Sequence, residues 1–167
     1  LLIGLIFACT SETAPASEVD IGATLQESKT ERNKSDLVQY EVIRVIDGDT
    51  VELKNGERLR YNDIDTPETV HPSKPIECYG PEASKENKEL VEGEIILVEF
   101  GNPKKDKYGR LLGYVFVDDL FVNAELVKGG YAEVNSYGNP GSKIDELMNM
   151  EREAKRQPVG LWDKCYK

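Results

Sequence analysis

The sequence predicts an α+β domain built on a small closed barrel of five short strands with about three helices. Short runs rich in β-branched and aromatic residues recur from Val38 onward, separated by Gly, Pro, Asn and Asp turn signals. Stretches with helical period are interposed among the strands and appended after them, which suits an α+β chain.

VQYEVIRVI (38–46) and TVELK (50–54) read as strands, Asn55-Gly56 as a two-residue hairpin turn, and ERLRYNDI (57–64) as the returning strand. Pro67 and HPSKP make a loop. A helix opens at Gly80-Pro81, with proline at the first helical position, and stops at Gly93. EIILVEF (94–100) is a strand, GNPKKDKYGR (101–110) a polar loop, and LLGYVFV (111–117) a strand closed by Asp118-Asp119. VNAELVKGG is a short helix ended by glycines. Ser142 to Asp145 reads as a capping box opening a last helix, with Ile144, Leu147 and Ala154 on its apolar stripe and Pro158 ending it. Five short strands with these helices suggest a barrel of the oligonucleotide-binding type.

The 167 residues divide into three stretches. LLIGLIFAC (1–9) is an apolar run of signal-peptide length, too short to span a bilayer, and reads as a truncated signal. Ile6-Phe7-Ala8-Cys9 resembles a bacterial lipobox, which makes Cys9 a lipidation candidate; an ordinary secretory signal with an incidental cysteine is the alternative. Residues 10–37 have few large apolar side chains and read as a flexible polar tether. The domain occupies 38–167 and is expected outside the cytoplasm, secreted or membrane-anchored, as a monomer. There Cys78 and Cys165 either form a disulfide or remain free thiols. The formal charge of −10 argues against wholesale nucleic-acid binding through a basic surface. It leaves room for an enzyme that meets nucleic acid through a bound cation and a few local basic residues, with a strong dependence on divalent metal.

VIDGDTVEL (45–53) places Asp47 and Asp49 around a glycine between two strand-like runs. Asp-Gly is a common connector, but two carboxylates this close repel unless something positive is near. Counted from a two-residue turn at Asn55-Gly56, residue 51 faces 60 and 49 faces 62. Asp49, Val51 and Arg60 then share a face, with Arg60 diagonal to Asp49. Simple alternation puts Asp65 on the wrong face, so bringing it to Asp49 requires a bend, for which Thr66-Pro67 is the candidate. With that bend Asp49, Asp65 and Glu68 converge, and carboxylates with backbone carbonyls and water suit Ca2+. One histidine and no cysteine cluster disfavour zinc, and His71 reads as a loop residue. Asp47 is expected to support the others from the turn. In KKDKYGR, Arg110 is a second planar donor suited to phosphate, and Lys107 and Tyr108 are placed to flank a nucleotide.

IDGDTVEL, Arg60 followed by DTPET, YGPEAS, DKYGR and the terminal GLW occur in the order and rough spacing of the staphylococcal nuclease family. The chain resembles that family from about Tyr40 to Trp162. The resemblance implies a Ca2+-dependent phosphodiesterase acting on single- or double-stranded DNA and RNA. Carried over by motif, Asp49, Asp65 and the carbonyl of Thr66 are metal ligands, Glu68 orients or deprotonates water, and Arg60 and Arg110 clamp the phosphate. Lys107 and Tyr108 touch the nucleotide. The family's stacking tyrosines are not cleanly matched, and Tyr137 is the offset candidate. Asn62 and Asp63 also depart from the pattern, and Asp63 adds a carboxylate near the site that is expected to alter metal affinity. Barrels of this family without the catalytic set bind nucleic acid without cleaving it, which is the alternative function; a Ca2+-binding envelope protein is a third. Presence of both arginines and all three acids favours catalysis.

Overall fold

A computed structural model describes residues 37–70, 73 and 75–166. The lipidation candidate Cys9, the signal and most of the tether, and His71 lie outside the described residues.

The domain opens with β1 (Leu37–Val45), β2 (Thr50–Leu53) and β3 (Arg58–Tyr61), an antiparallel meander. β4 (Ile64–Asp65) and α1 (Gly80–Val91) follow, then β5 (Ile95–Lys105), β6 (Leu111–Val117) and β7 (Leu120–Phe121). After these come α2 (Val122–Lys128), β8 (Glu133–Val134), α3 (Ile144–Arg156) and a one-turn α4 (Leu161–Lys164). Five strands form the barrel in the order β3-β2-β1-β5-β6, and a parallel pairing of β3 with β6, Leu59 opposite Leu111, closes it. Closure removes the sheet edges and turns the alternate side chains inward. Val42, Val51, Leu53, Leu59, Ile96, Val98, Leu111 and Val115 are fully buried there.

The hairpin differs from the sequence expectation by one residue. Thr50 pairs with Arg60 and Val51 with Leu59, because the turn spans three residues rather than two. Gly56 alone takes a positive φ of 83°, Gly56 N–H bonds Leu53 O at 2.8 Å, and Asn55 Oδ1 accepts from Glu57 N–H. A turn ending in a single left-handed glycine adds a residue to the loop and shifts the register. A one-residue shift exchanges the faces, so Val51 and Leu59 fill the core while Thr50 and Arg60 pair on the other side. The bend that returns Asp65 lies at Asn62-Asp63, not at Thr66-Pro67. Asp63 has φ 57°, and its carboxylate accepts from Gly141 N–H and the Tyr114 hydroxyl. Asp63 therefore serves the turn, its carboxylate bonded to Tyr114 and Gly141.

Two further differences are local. β5 runs through Lys105, into the expected polar loop, because Lys105 pairs across to Leu111. The capping box does not form: α3 starts at Ile144 without a side-chain cap, and the Ser142 hydroxyl goes to Glu99.

Cys78, just before α1, and Cys165, just after α4, are joined by a disulfide across 87 residues of sequence. α4 is itself fixed by Leu161, which is buried and bonds Gly130 O through its N–H at 2.8 Å. Cross-links over loops this long typically contribute about 2–4 kcal/mol by constraining the unfolded chain. Reduction is therefore expected to lower the melting temperature by about 5–15 °C in a calorimetric scan with and without dithiothreitol. Coincident transitions would show that the cross-link contributes nothing to stability.

Candidate active site

The acidic turn precedes β2. Its backbone is fixed at both ends: Ile46 N–H bonds Thr50 O, and Tyr61 N–H bonds Asp49 O at 2.8 Å. Asp47 caps the turn from within, its Oδ1 accepting from Asp49 N–H at 3.1 Å. Gly48 is required for packing, since a Cβ there would meet the Thr66 side chain at 2.6–2.8 Å. That close approach brings Thr66 N–H onto Asp49 Oδ2 at 3.0 Å. The glycine between the two aspartates thus admits the segment that carries Asp65.

Arg60 holds the centre. Its Nη1 donates to Asp49 Oδ1 at 2.6 Å, and its Nη2 donates to Asp65 Oδ1 at 2.7 Å, to Ile64 O at 3.2 Å and to the Tyr137 hydroxyl at 2.9 Å. One guanidinium therefore spans both carboxylates. Antiparallel pairing of β4 with β8, Asp65 opposite Glu133, delivers the 133–137 segment to the same place. Tyr137 lies with its ring 5.3 Å from the Arg60 guanidinium carbon and remains largely exposed.

The electrostatics are uneven. Asp49 is only 2% exposed, and burial pushes its carboxyl up to about 7; Arg60 opposes the shift and Asp47 adds to it. Asp47 is raised as well, chiefly by burial, and the charge of Glu68 contributes. Burial works against the charge of Arg60, but Asp49, Tyr137 and Asp65 override it and hold the guanidinium protonated. Glu68 is half-buried, with Oε1 accepting from Val70 N–H at 2.8 Å.

Arg110 belongs to a second cluster. Asp106 accepts from Tyr108 N–H, Arg110 N–H and Arg110 Nε, the last at 2.7 Å. Burial alone would raise Asp106, but the hydrogen bonds and charge of Arg110 bring it below the usual carboxylate range. The exposed Tyr108 ring has Lys107 Nζ at 5.0 Å and the Arg110 guanidinium carbon at 5.6 Å. Asp49, Arg60, Asp65, Thr66 and Tyr137 are thus joined by direct contacts, with Glu68 coupled to the acidic turn. Lys107, Tyr108 and Arg110 form their own loop around Asp106.

Two residues in these networks escaped the sequence reading. Asp106 organises the basic loop, and its signal was its place four residues before Arg110. Asn87, fully buried on α1, donates to Asp47 O at 3.0 Å and accepts from the Tyr61 hydroxyl at 2.8 Å. An asparagine within a helical pattern carries no signal for that role.

Oxygen donors dominate around Arg60, which suits a hard cation. Among the described residues no group of three His, Cys, Asp or Glu side chains is gathered to hold a metal. A metal held by Asp49 and Asp65 therefore needs backbone carbonyls and water to complete its shell.

The family model described as staphylococcal nuclease homologue matches residues 58–164. The chain belongs to the staphylococcal nuclease homologue family. Among its relatives, Endonuclease YncB of Bacillus subtilis is 42% identical over 138 residues, 80% of this chain and 65% of that protein. The SPbeta prophage-derived endonuclease YokF of the same organism is 42% identical over 134 residues, 77% of this chain and 45% of that protein. The thermonuclease of Staphylococcus intermedius is 39% identical over 129 residues, 75% of this chain and 76% of that protein. The chain spans less than two thirds of the first two relatives.

Proposed function

We propose that this chain is a nuclease that hydrolyses phosphodiester bonds of single- or double-stranded DNA and RNA with Ca2+ as its cofactor. The observation that carries the reading is the Arg60 guanidinium held between Asp49 and Asp65, three groups brought together from separate segments. The relatives named endonuclease and thermonuclease support the same target bond.

Asp49, Asp65 and the backbone carbonyl of Thr66 would hold the metal, with Asp47 supporting the turn. A Ca2+ bound there would supply charge to neutralise the anionic diester and to polarise a water. Glu68 orients or deprotonates that water. Arg60 donates to the phosphoryl oxygens where charge develops. Arg110, pinned to Asp106 through Nε, offers the outer edge of its fork to the same group. Lys107 meets the nucleotide's phosphate, and Tyr108 and Tyr137 offer faces to its bases. A binding module that has lost catalysis would lack part of this set, and none is missing here.

The domain acts as a monomer outside the cytoplasm, free or attached to a membrane through a lipidated Cys9. The disulfide supports an oxidising compartment, since cytosolic thiols are kept reduced.

Purified protein incubated with single-stranded DNA is expected to cleave it in Ca2+, to stop in excess EGTA and to resume on recalcification. Glu68→Ser lowers turnover by roughly 10²–10⁴, with an unchanged circular dichroism spectrum. Cleavage that persists in EGTA would remove the Ca2+ assignment, and normal turnover in the variant would remove the role of Glu68.

A further inference from the structure

Glu68 is held from a residue nine positions away in sequence. Its N–H donates to Glu77 Oε2 at 2.9 Å, and its carbonyl accepts from Glu77 N–H at 2.9 Å. Glu77 therefore grips the Glu68 peptide from both sides, once with its backbone and once with its carboxylate. Glu77 is in turn fixed on two sides. Its carbonyl accepts from Gly80 N–H, at the first residue of α1, and the adjacent Cys78 is cross-linked to Cys165 after α4. Glu77, Cys78 and Cys165 also line a cleft of about 410 Å³ together with Asp65 and Thr66. The clamp thus shares one cleft with Asp65 and Thr66 of the site.

An exposed glutamate beside another acid has no evident role as a charge, because it adds repulsion where an anionic substrate is to approach. Its carboxylate is used here as an acceptor for one backbone amide. We propose that Glu77 is a positioning residue for Glu68, fixing the peptide from which that carboxylate reaches the attacking water, with the Cys78–Cys165 disulfide anchoring the clamp. The proposal rests on the role of Glu68 given above.

Two variants separate a hydrogen bond from a charge. Glu77→Ala removes the acceptor, while Glu77→Gln keeps an oxygen that can receive the Glu68 N–H and discards the charge. With a short single-stranded oligonucleotide in Ca2+, Glu77→Ala is expected to lower kcat about tenfold or more, with KM within about twofold of wild type. Glu77→Gln recovers most of the lost kcat. Native-state hydrogen exchange, read by NMR without metal or substrate, is expected to speed at the Glu68 amide in Glu77→Ala and to stay near wild type in Glu77→Gln. Wild-type kcat in Glu77→Ala, equal loss in both variants, or unaltered exchange at the Glu68 amide would each overturn the clamp. The exchange measurement reads the clamp even if the wild-type protein cleaves nothing, an outcome that would instead sink the nuclease reading.

Discussion

Replacing Arg60 by alanine is expected to lower turnover by roughly 10²–10³, the usual loss on removing one donor aimed at developing charge. The same variant is expected to bind Ca2+ in the absence of nucleic acid at least as tightly as wild type. Both outcomes follow from one geometry. In the free protein the guanidinium occupies the space between Asp49 and Asp65, bonded to each at 2.6 and 2.7 Å. Those are the carboxylates assigned to the metal, so Arg60 competes for the ligands it later assists. Removing the side chain frees two acids for the cation while taking a donor from the phosphate. Arg60→Lys does not rescue turnover, because an ammonium is a point charge and does not reproduce a planar fork spanning two oxygens. Isothermal titration with CaCl2 and steady-state cleavage of an oligonucleotide read the two effects separately. A variant that loses Ca2+ affinity in proportion to turnover would show that Arg60 builds the metal site and would end its assignment to the phosphate.

The parts of this arrangement that the sequence revealed are the parts encoded by local chemistry. Asp47-Gly48-Asp49 stood out because acids are disfavoured in strands, and its glycine has a packing reason: Thr66 presses against it. Barrel closure, α1 and α2 followed from alternation, from proline at a helix start and from glycine at a helix end. The hairpin register did not, because Asn55-Gly56 fits two turn geometries. The choice lay in whether Asn55 adopts a left-handed backbone or spends its side chain on Glu57 N–H, and it does the latter. Asp63 was read as a stray charge near the site because sequence does not reveal that Tyr114 and Gly141, far along the chain, supply its partners. Asn87 was invisible for the converse reason. A polar residue in a helix looks solvated until the backbone it serves, here the carbonyl of Asp47, is known. Long-range partners of polar groups are what a periodic pattern omits.

Asp49→Asn is expected to abolish cleavage while making the metal-free protein relatively more stable than wild type as the pH rises. The Asp49 carboxyl is buried, and burial raises its pKa from the ordinary 3.8 to about 7, against the attraction of Arg60. Between those two values the folded protein holds a proton that the unfolded chain has already released. The native state then binds more protons than the unfolded state, so stability falls with rising pH through this window. Below about pH 4 both states are protonated and the contribution is fully present; above about pH 7 it has been lost. Asp47, also raised by burial, acts in the same direction. Asparagine carries no charge to desolvate, so the variant loses the Asp49 share of this slope. It also has one acceptor oxygen where Asp49 uses two, for Arg60 and Thr50 on one and Thr66 N–H on the other, and this offsets part of the gain at every pH alike. The measurable signature is therefore the difference in melting temperature, variant minus wild type, in EGTA. It should increase from pH 4 to pH 7 and then level off. In saturating Ca2+ the wild type recovers stability at neutral pH and the variant does not, because a neutral amide is a poor substitute for a carboxylate ligand. A difference that stays flat from pH 4 to 8 would mean that Asp49 is ionised throughout, stabilised by Arg60 in spite of its burial. The acidic turn would then be at ease without a metal, and the strongest physical reason for placing a cation there would be gone.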